Sequence, residues 1–139
     1  MVDCTGFADF PRDFQGSHQY YRRSRLARAD IVDIVFMAKP QAISLEGANP
    51  RHAHEYEVFD TVKLPDGKVL IPGVLESKSN FIEHPELIAQ RIGRYAERVG
   101  RENVMAGSDC GYGTWVGQAA VDPQVVWAKM AAMAEGARI

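Results

Sequence analysis

Cysteine is scarce in this chain of 139 residues, which contains only Cys4 and Cys110. Two cysteines so far apart, in a chain without a visible secretory signal, do not form the disulfide framework of a small secreted protein. The sequence therefore predicts a reducing compartment, the cytoplasm. In that setting a cysteine serves more readily as a metal ligand or a reactive thiol than as half of a disulfide.

Long hydrophobic runs and an excess of one charge are missing as well. No apolar run approaches the roughly 20 residues that a membrane-spanning helix needs. Sixteen basic and 18 acidic residues give a net charge of −2, so nothing favours nucleic acid or an anionic membrane as a partner. Hydrophobic residues make up 46% of the chain, as in an ordinary globular protein. We expect one domain over residues 1–139, with no nucleic-acid or membrane partner.

Strand-like and helix-like segments alternate four times along the chain. Strands are expected near 1–4 and at 42–45, 68–74 and 104–107, and helices at 26–38, 52–59, 85–99 and after Pro123. Because Pro72 has no backbone donor, the third strand is expected to end or bulge there. Alternating units of this kind predict an α/β fold with a parallel sheet. Four βα units are half of a (β/α)₈ TIM barrel of about 250 residues, and a small open α/β sandwich is the alternative.

Three residues with metal-binding side chains follow predicted strands, namely Cys4, Glu46 and Cys110. Right-handed crossovers place the C-terminal ends of all the strands on one face, so these side chains are expected to gather there. Two thiolates and a carboxylate suit zinc. Two other interpretations stay open: Cys110 as a buried structural thiol, and Glu46 as a strand-end acid paired with an arginine such as Arg51.

Histidine gives a weaker signal. His52 and His54 are two residues apart, a spacing that points them away from each other on a helix and to one face on a strand. The pattern favours two surface histidines over a metal site.

Several motifs, in the same order, resemble a known family. They are EGANPRH at 46–52, LIPGV at 70–74, NFIEHP at 80–85, and GRENV at 100–104 leading to GSDCGYGT at 107–114. Together they resemble the C-terminal half of the catalytic domain of cobalamin-independent methionine synthase. They are more similar still to its shorter homologues, a group that includes epoxyalkane:coenzyme M transferase.

The resemblance implies a (β/α)₈ barrel in which zinc activates a substrate thiol, as the thiolate, for alkyl transfer. By motif, Glu46 matches the family's metal-binding glutamate and Cys110 its second cysteine, while Cys4 falls at the cysteine of a His-x-Cys pair. Val2 stands where that pair has its histidine. Glu76 stands where relatives usually carry aspartate.

The implied function is a zinc-dependent methyltransferase or alkyltransferase acting on a thiol, in the class that methylates homocysteine. Because the motifs cover the C-terminal half of a barrel, the alternative is a non-catalytic or degenerate half-barrel subunit that completes a barrel with another chain. The expected partners are a thiol substrate and either further copies of this chain or a separate chain that supplies the N-terminal half.

Overall fold

A three-stranded parallel sheet organises the part of the chain that the computed structural model describes, residues 28–113 and 121–139. The strands lie in the order β1 (Ala42–Leu45), β2 (Val69–Leu75) and β3 (Gly107–Ser108). The helices are α1 (Arg28–Phe36), α2 (Pro85–Val99) and α3 (Pro123–Gly136). Short 3₁₀ helices occupy Glu55–Asp60 and Arg101–Asn103.

The predicted mixed α/β fold with parallel strands is confirmed, whereas the four βα units are not. The first predicted strand, near 1–4, lies outside the described residues, which contain three strands. The last predicted strand, at 104–107, is shorter than expected: β3 is Gly107–Ser108, and Val104 forms only an isolated bridge with Leu70. The segment predicted as a helix at 52–59 is the 3₁₀ helix Glu55–Asp60.

Strand β2 lies between the other two strands and carries the centre of the core. Its residues Leu70, Val74 and Leu75 are fully buried, as the apolar character of both its faces predicts. The strand does not end at Pro72, which pairs with Leu45 of β1. An irregularity in register follows instead, opposite β3, between Gly73 and Leu75. A proline keeps its backbone acceptor, so the strand continues while the ladder on one side is disturbed.

Helix α2 follows its sequence signals closely. Pro85 occupies the first turn, and the His84 side chain caps the helix by accepting from the backbone N–H of Glu86. The helix ends at Gly100, whose φ of 89° lies in the left-handed region that favours glycine. Its buried residues are Ile88 and Tyr95. Helical spacing predicts that Leu87 lies on the same face, but Leu87 is exposed.

Helix α3 differs more from its prediction. Asp122 caps it as expected, accepting from the backbone N–H of Gln124. Helical spacing predicts that the apolar residues of α3 are buried, but four of them are only partly buried, namely Val125, Val126, Met130 and Met133. The deepest side chain of the helix is Lys129, with 0% exposure. A lysine is stable there because its Nζ donates to Glu83 Oε2 and to the backbone carbonyl of Glu76.

The parallel sheet brings three loops to one edge. The segments that follow β1, β2 and β3 begin at Glu46, Glu76 and Asp109, and all leave the same end of the sheet. None of the helices in the described ranges is long and apolar enough to span a membrane.

Candidate functional site

The Cys110 thiol and the Glu46 carboxylate meet at this edge of the sheet. Cys110 Sγ donates to Glu46 Oε1 at 3.3 Å, although the two residues are 64 positions apart in the sequence. This hydrogen bond raises the pKa of the Cys110 thiol, and desolvation and the negative charge of Glu46 act in the same direction. The positive charge of Lys78 opposes them. Without a metal, the pair therefore favours a protonated thiol beside a carboxylate.

A buried carboxylate, Asp109, connects the end of β3 to the loop after β1. Its Oδ1 accepts from the backbone N–H groups of Gly47 and Ala48, both at 2.8 Å. Its Oδ2 accepts from the backbone and the side-chain amide of Asn49, also at 2.8 Å each. Four donors satisfy a carboxylate that is only 9% exposed. Since Cys110 is the next residue, this clamp also fixes the position of the thiol relative to the β1 loop.

Gly73 in β2 gives Asp109 the space that the clamp requires. A Cβ atom at position 73 would lie 2.0 Å from Asp109 Oδ1 and 2.8 Å from its Cα and backbone nitrogen. No side chain fits there without moving the Asp109 backbone.

The Asn49 side chain lies between two carboxylates. Its Nδ2 donates to Glu46 Oε2 at 2.9 Å and to Asp109 Oδ2 at 2.8 Å. Its Oδ1 accepts from the backbone N–H groups of Arg51 and His52. Every polar atom of this amide is therefore used within the site.

His52 borders the same site, whereas His54 is exposed to solvent. His52 Nε2 lies 3.5 Å from Glu46 Oε2, and its Nδ1 lies 2.9 Å from Glu55 Oε2. The side chain of His52 is 29% exposed. The prediction of two surface histidines therefore holds for His54, whereas His52 contacts the carboxylates of the site.

A cavity of about 250 Å³ opens over these groups. Its lining is predominantly polar and consists of Glu46, Asn49, Arg51, His52, Glu76, Ser77, Lys78, Asp109 and Cys110. Three acidic and three basic residues thus surround one thiol, which makes the cavity a site for a polar or charged ligand rather than an apolar one.

The loop after β2 is supported from behind by a buried ionic cluster. Glu83 Oε1 accepts from the backbone N–H of Glu76 at 2.8 Å, and Glu83 Oε2 accepts from Lys129 Nζ at 2.9 Å. Arg91 of α2 donates to the carbonyl oxygens of Val74 and Ala48, at 2.7 and 3.3 Å. These bonds link the ends of β1 and β2 to the helices beneath them, so the rim of the cavity is rigidly supported.

The Glu46–Cys110 pair has the spacing of two ligands on one zinc ion. Zn–S and Zn–O bonds of about 2.3 and 2.1 Å at a tetrahedral angle place the two ligand atoms about 3.6 Å apart. The observed separation of 3.3 Å is close to that value. Within residues 28–113 and 121–139, no group of three or more histidine, cysteine, aspartate or glutamate side chains is arranged to hold a metal. The residues present thus fit part of a zinc site.

The structure brings two of the three predicted ligands together. Glu46 and Cys110 are in contact, while Cys4 lies outside the described residues, as does Val2. The sequence interpretation missed Asn49 and Asp109. A signal for each was present, because Asp109 immediately precedes the strand-end cysteine and Asn49 follows the strand-end glutamate by three residues.

Comparisons with known proteins give a fold relationship. No protein-family model and no curated protein matches the sequence. Among solved structures, the chain is similar to a B12-independent methionine synthase from Shewanella sp. W3-18-1, solved in complex with selenomethionine. The TM-score is 0.65 at 18% sequence identity, over 86% of this chain. The chain spans 33% of the length of that enzyme, so the match shows that its fold corresponds to about a third of the larger structure.

Proposed function

We propose that this chain carries part of the zinc site of a thiol S-alkyltransferase similar to B12-independent methionine synthase. One observation carries the proposal: the Cys110 thiol and the Glu46 carboxylate meet at the C-terminal edge of a parallel sheet, 3.3 Å apart. The fold likeness to a methionine synthase supports the same class of reaction. The proposed substrate is a thiol, with homocysteine as the representative of the class.

The donor set suits zinc chemically. Thiolate sulfur and carboxylate oxygen are both common zinc ligands, and Cys4 is the proposed third. Zinc, when bound, would supply a Lewis acid that holds a thiol substrate in its nucleophilic thiolate form. The chain's own residues bind and orient: Glu46 and Cys110 act as ligands, and Asp109 fixes the loop that carries Glu46.

The cationic side chains of the cavity could bind a carboxylate group on the thiol substrate. Arg51 and Lys78 both line the cavity that contains Cys110. A thiol that bears a carboxylate, as an amino acid does, would find a complementary charge there. We therefore propose an anionic or zwitterionic thiol rather than a purely apolar one.

Zinc titration of the metal-free protein, by competition with a chromophoric chelator, tests the proposal. Cys110→Ser should lower zinc affinity by on the order of 100-fold, because a hydroxyl replaces a thiolate poorly. Glu46→Gln should lower it by about 10-fold, because the amide oxygen can still coordinate but carries no charge. If Cys4 is a ligand, Val2→His should strengthen binding by restoring the family's nitrogen donor.

Glu135→Gln on the exposed end of α3 is the matched control for Glu46→Gln, and its zinc affinity should equal that of the unchanged protein. Zinc binding that neither Cys110→Ser nor Glu46→Gln weakens would show that the site lies elsewhere. No measurable zinc binding, even in Val2→His, would reject the zinc-dependent function.

A second candidate function is a non-catalytic half-barrel subunit that completes a barrel with another chain or a further copy of itself. Two observations favour it. In the part of the chain that the structure describes, β1 and β3 lie at the two edges of the sheet. Met105, beside β3, is 59% exposed. Strand edges at the margin of a sheet favour association with another chain.

Sedimentation of the purified chain, alone and after copurification from its host, distinguishes the two candidates. A self-associated or hetero-oligomeric species without zinc supports the subunit. A monomer that binds one zinc ion supports the metal-site proposal and counts against the subunit.

A further inference from the structure

We propose that Asn49 is a positioning residue that, anchored on Asp109, holds the Glu46 carboxylate against the Cys110 thiol. The inference rests on the proposed zinc site for its consequence, but its geometry stands on the contacts alone.

The two amide hydrogens of Asn49 donate to different carboxylates. One is directed to Glu46 Oε2 at 2.9 Å and the other to Asp109 Oδ2 at 2.8 Å. The amide thus lies between the two carboxylates and donates to both. With Oε2 bonded to Asn49, the other oxygen of Glu46 is directed to Cys110 Sγ, 3.3 Å away.

The amide cannot easily turn away from this position. Its Oδ1 accepts from the backbone N–H groups of Arg51 and His52, at 3.1 and 3.2 Å. Rotation by half a turn would direct the NH₂ group at those two backbone donors and the oxygen at the two carboxylates, so all four contacts would become repulsive. Only asparagine supplies two donors and one acceptor at this reach, because aspartate has no donor and glutamine is one methylene longer.

Asp109 connects the loops that carry the two proposed ligands, Glu46 and Cys110. It binds the loop of Glu46 through three backbone N–H groups and is covalently joined to Cys110. The Asn49 side chain adds the bond that orients Glu46 itself. The backbone bonds thus set the distance between the two loops. Asn49, with the shorter contact to Glu46 Oε2 at 2.9 Å against 3.5 Å for His52 Nε2, sets the direction of the carboxylate.

A double-mutant cycle on thiol reactivity tests the proposal without any metal. The rate of Cys110 alkylation by iodoacetamide is measured at one fixed pH in a Cys4→Ser background, for Asn49→Ala, Glu46→Gln and the double variant. Each single variant should react several-fold faster, because the thiol loses its carboxylate acceptor. The Asn49→Ala substitution should have no further effect once Glu46→Gln is present, because its effect acts through Glu46.

Asn103→Ala is the matched control, since Asn103 also uses its amide to donate, to the carbonyl of Val99 away from the site. Its alkylation rate should be unchanged. Asn49→Ala leaves Asp109 with three backbone donors, so the fold should persist, and circular dichroism checks this. An unchanged rate in Asn49→Ala would overturn the proposal. So would an acceleration by Asn49→Ala that is equally large with and without Glu46→Gln, because a general loosening of the structure would cause that result.

Cobalt(II) provides a second, spectroscopic measurement. Asn49→Ala should reduce or shift the sulfur-to-cobalt charge-transfer absorption of the Cys110 site and lower cobalt affinity by about 10-fold or more, as other residues that orient ligands do. An unaltered spectrum and affinity would contradict the positioning role. Absence of cobalt binding in the unchanged protein would reject the proposed zinc function, while the alkylation cycle would still decide the role of Asn49.

Discussion

Two buried carboxylates, Asp109 and Glu83, support neighbouring parts of the same rim by different chemistry. Asp109 is held by neutral donors, three backbone N–H groups and one amide. Glu83 is held by one backbone N–H and by two cations: the fully buried ammonium group of Lys129, and the guanidinium group of Arg91 at 4.0 Å. Each carboxylate is less than 10% exposed, and each fixes a loop at the end of a strand.

Because their partners differ, the charge of Glu83 has a structural role, whereas the charge of Asp109 also acts on the candidate site. Lys129 and Arg91 compensate the charge of Glu83, so the cluster behind β2 has no unpaired negative charge and adds rigidity. Dipoles satisfy Asp109 without cancelling its charge, so its negative charge remains close to Cys110 and Glu46, in a cavity that Arg51 and Lys78 also line. The negative charges of Asp109 and Glu46 favour a metal cation next to the Cys110 thiol. Substitutions around Glu83 should therefore mainly lower the free energy of unfolding, whereas substitutions around Asp109 and Glu46 should also change the site. The largest loss of stability is expected at Lys129.

Lys129→Met should cause the largest loss of stability. It removes the nearer of the two cations beside the buried Glu83 carboxylate and leaves only Arg91, whose Nη1 is 4.0 Å from Glu83 Oε1. Breaking a buried pair costs about 3–5 kcal/mol of unfolding free energy, and the remaining Arg91 places the expected loss at about 3 kcal/mol. Urea unfolding measures the loss. Because Glu83→Gln removes the carboxylate charge that Lys129 had paired, the double variant should be more stable than Lys129→Met alone. A double variant that is no more stable would show that the pair is not the source of the effect.

Gly73→Ala should have the next largest effect and should act on the other carboxylate. The added methyl group would lie 2.0 Å from Asp109 Oδ1, so the end of β3 must move, at a cost of about 2 kcal/mol. Gly93→Ala is the matched control. Position 93 in α2 has no atom within 4 Å of the new Cβ, and alanine there should stabilise the helix by about 0.5–1 kcal/mol. Thermal unfolding measures both variants, and shifts of the same sign would contradict the assigned crowding between Gly73 and Asp109.

Glu46→Gln should lower the pKa of the Cys110 thiol. The hydrogen bond to Glu46 raises that pKa above its ordinary value of 9.0, so the folded state favours the protonated thiol. The hydrogen bond from the protonated Cys110 thiol stabilises the folded state below the ordinary pKa. This contribution is lost as the pH rises through the higher pKa of the folded state. In Cys4→Ser protein, the ultraviolet absorbance of the thiolate should therefore appear at lower pH after Glu46→Gln. A shift to higher pH would contradict the assigned hydrogen bond.

Glu135→Gln should have the smallest effect. Its ion pair with Arg138 is exposed, with side chains 58% and 73% accessible, and such pairs contribute about 0.5 kcal/mol or less. Urea unfolding at low and high salt measures it, and the difference from the unchanged protein should disappear in high salt. A loss as large as that of Lys129→Met would remove the distinction between buried and exposed charges on α3.

Local signals predicted much of the secondary structure correctly. The apolar runs at 42–45 and 68–74 became β1 and β2, and Pro85 with Gly100 marked the two ends of α2. These predictions succeeded because hydrophobic periodicity, proline and glycine act within a few residues. The strand at 104–107 was less well predicted, because only Gly107 and Ser108 obtained a regular partner on β2.

The sequence by itself determined that Glu46 and Cys110 follow strands of a parallel sheet, since chain order and crossover handedness place strand ends on one face. Their contact across 64 residues, the bridging amide of Asn49 and the burial of Lys129 depended on the tertiary structure. Local patterns could not show them, because a polar residue that is satisfied by distant partners looks in sequence like one that is satisfied by water. Only the tertiary structure determines which donors and acceptors come within hydrogen-bond distance.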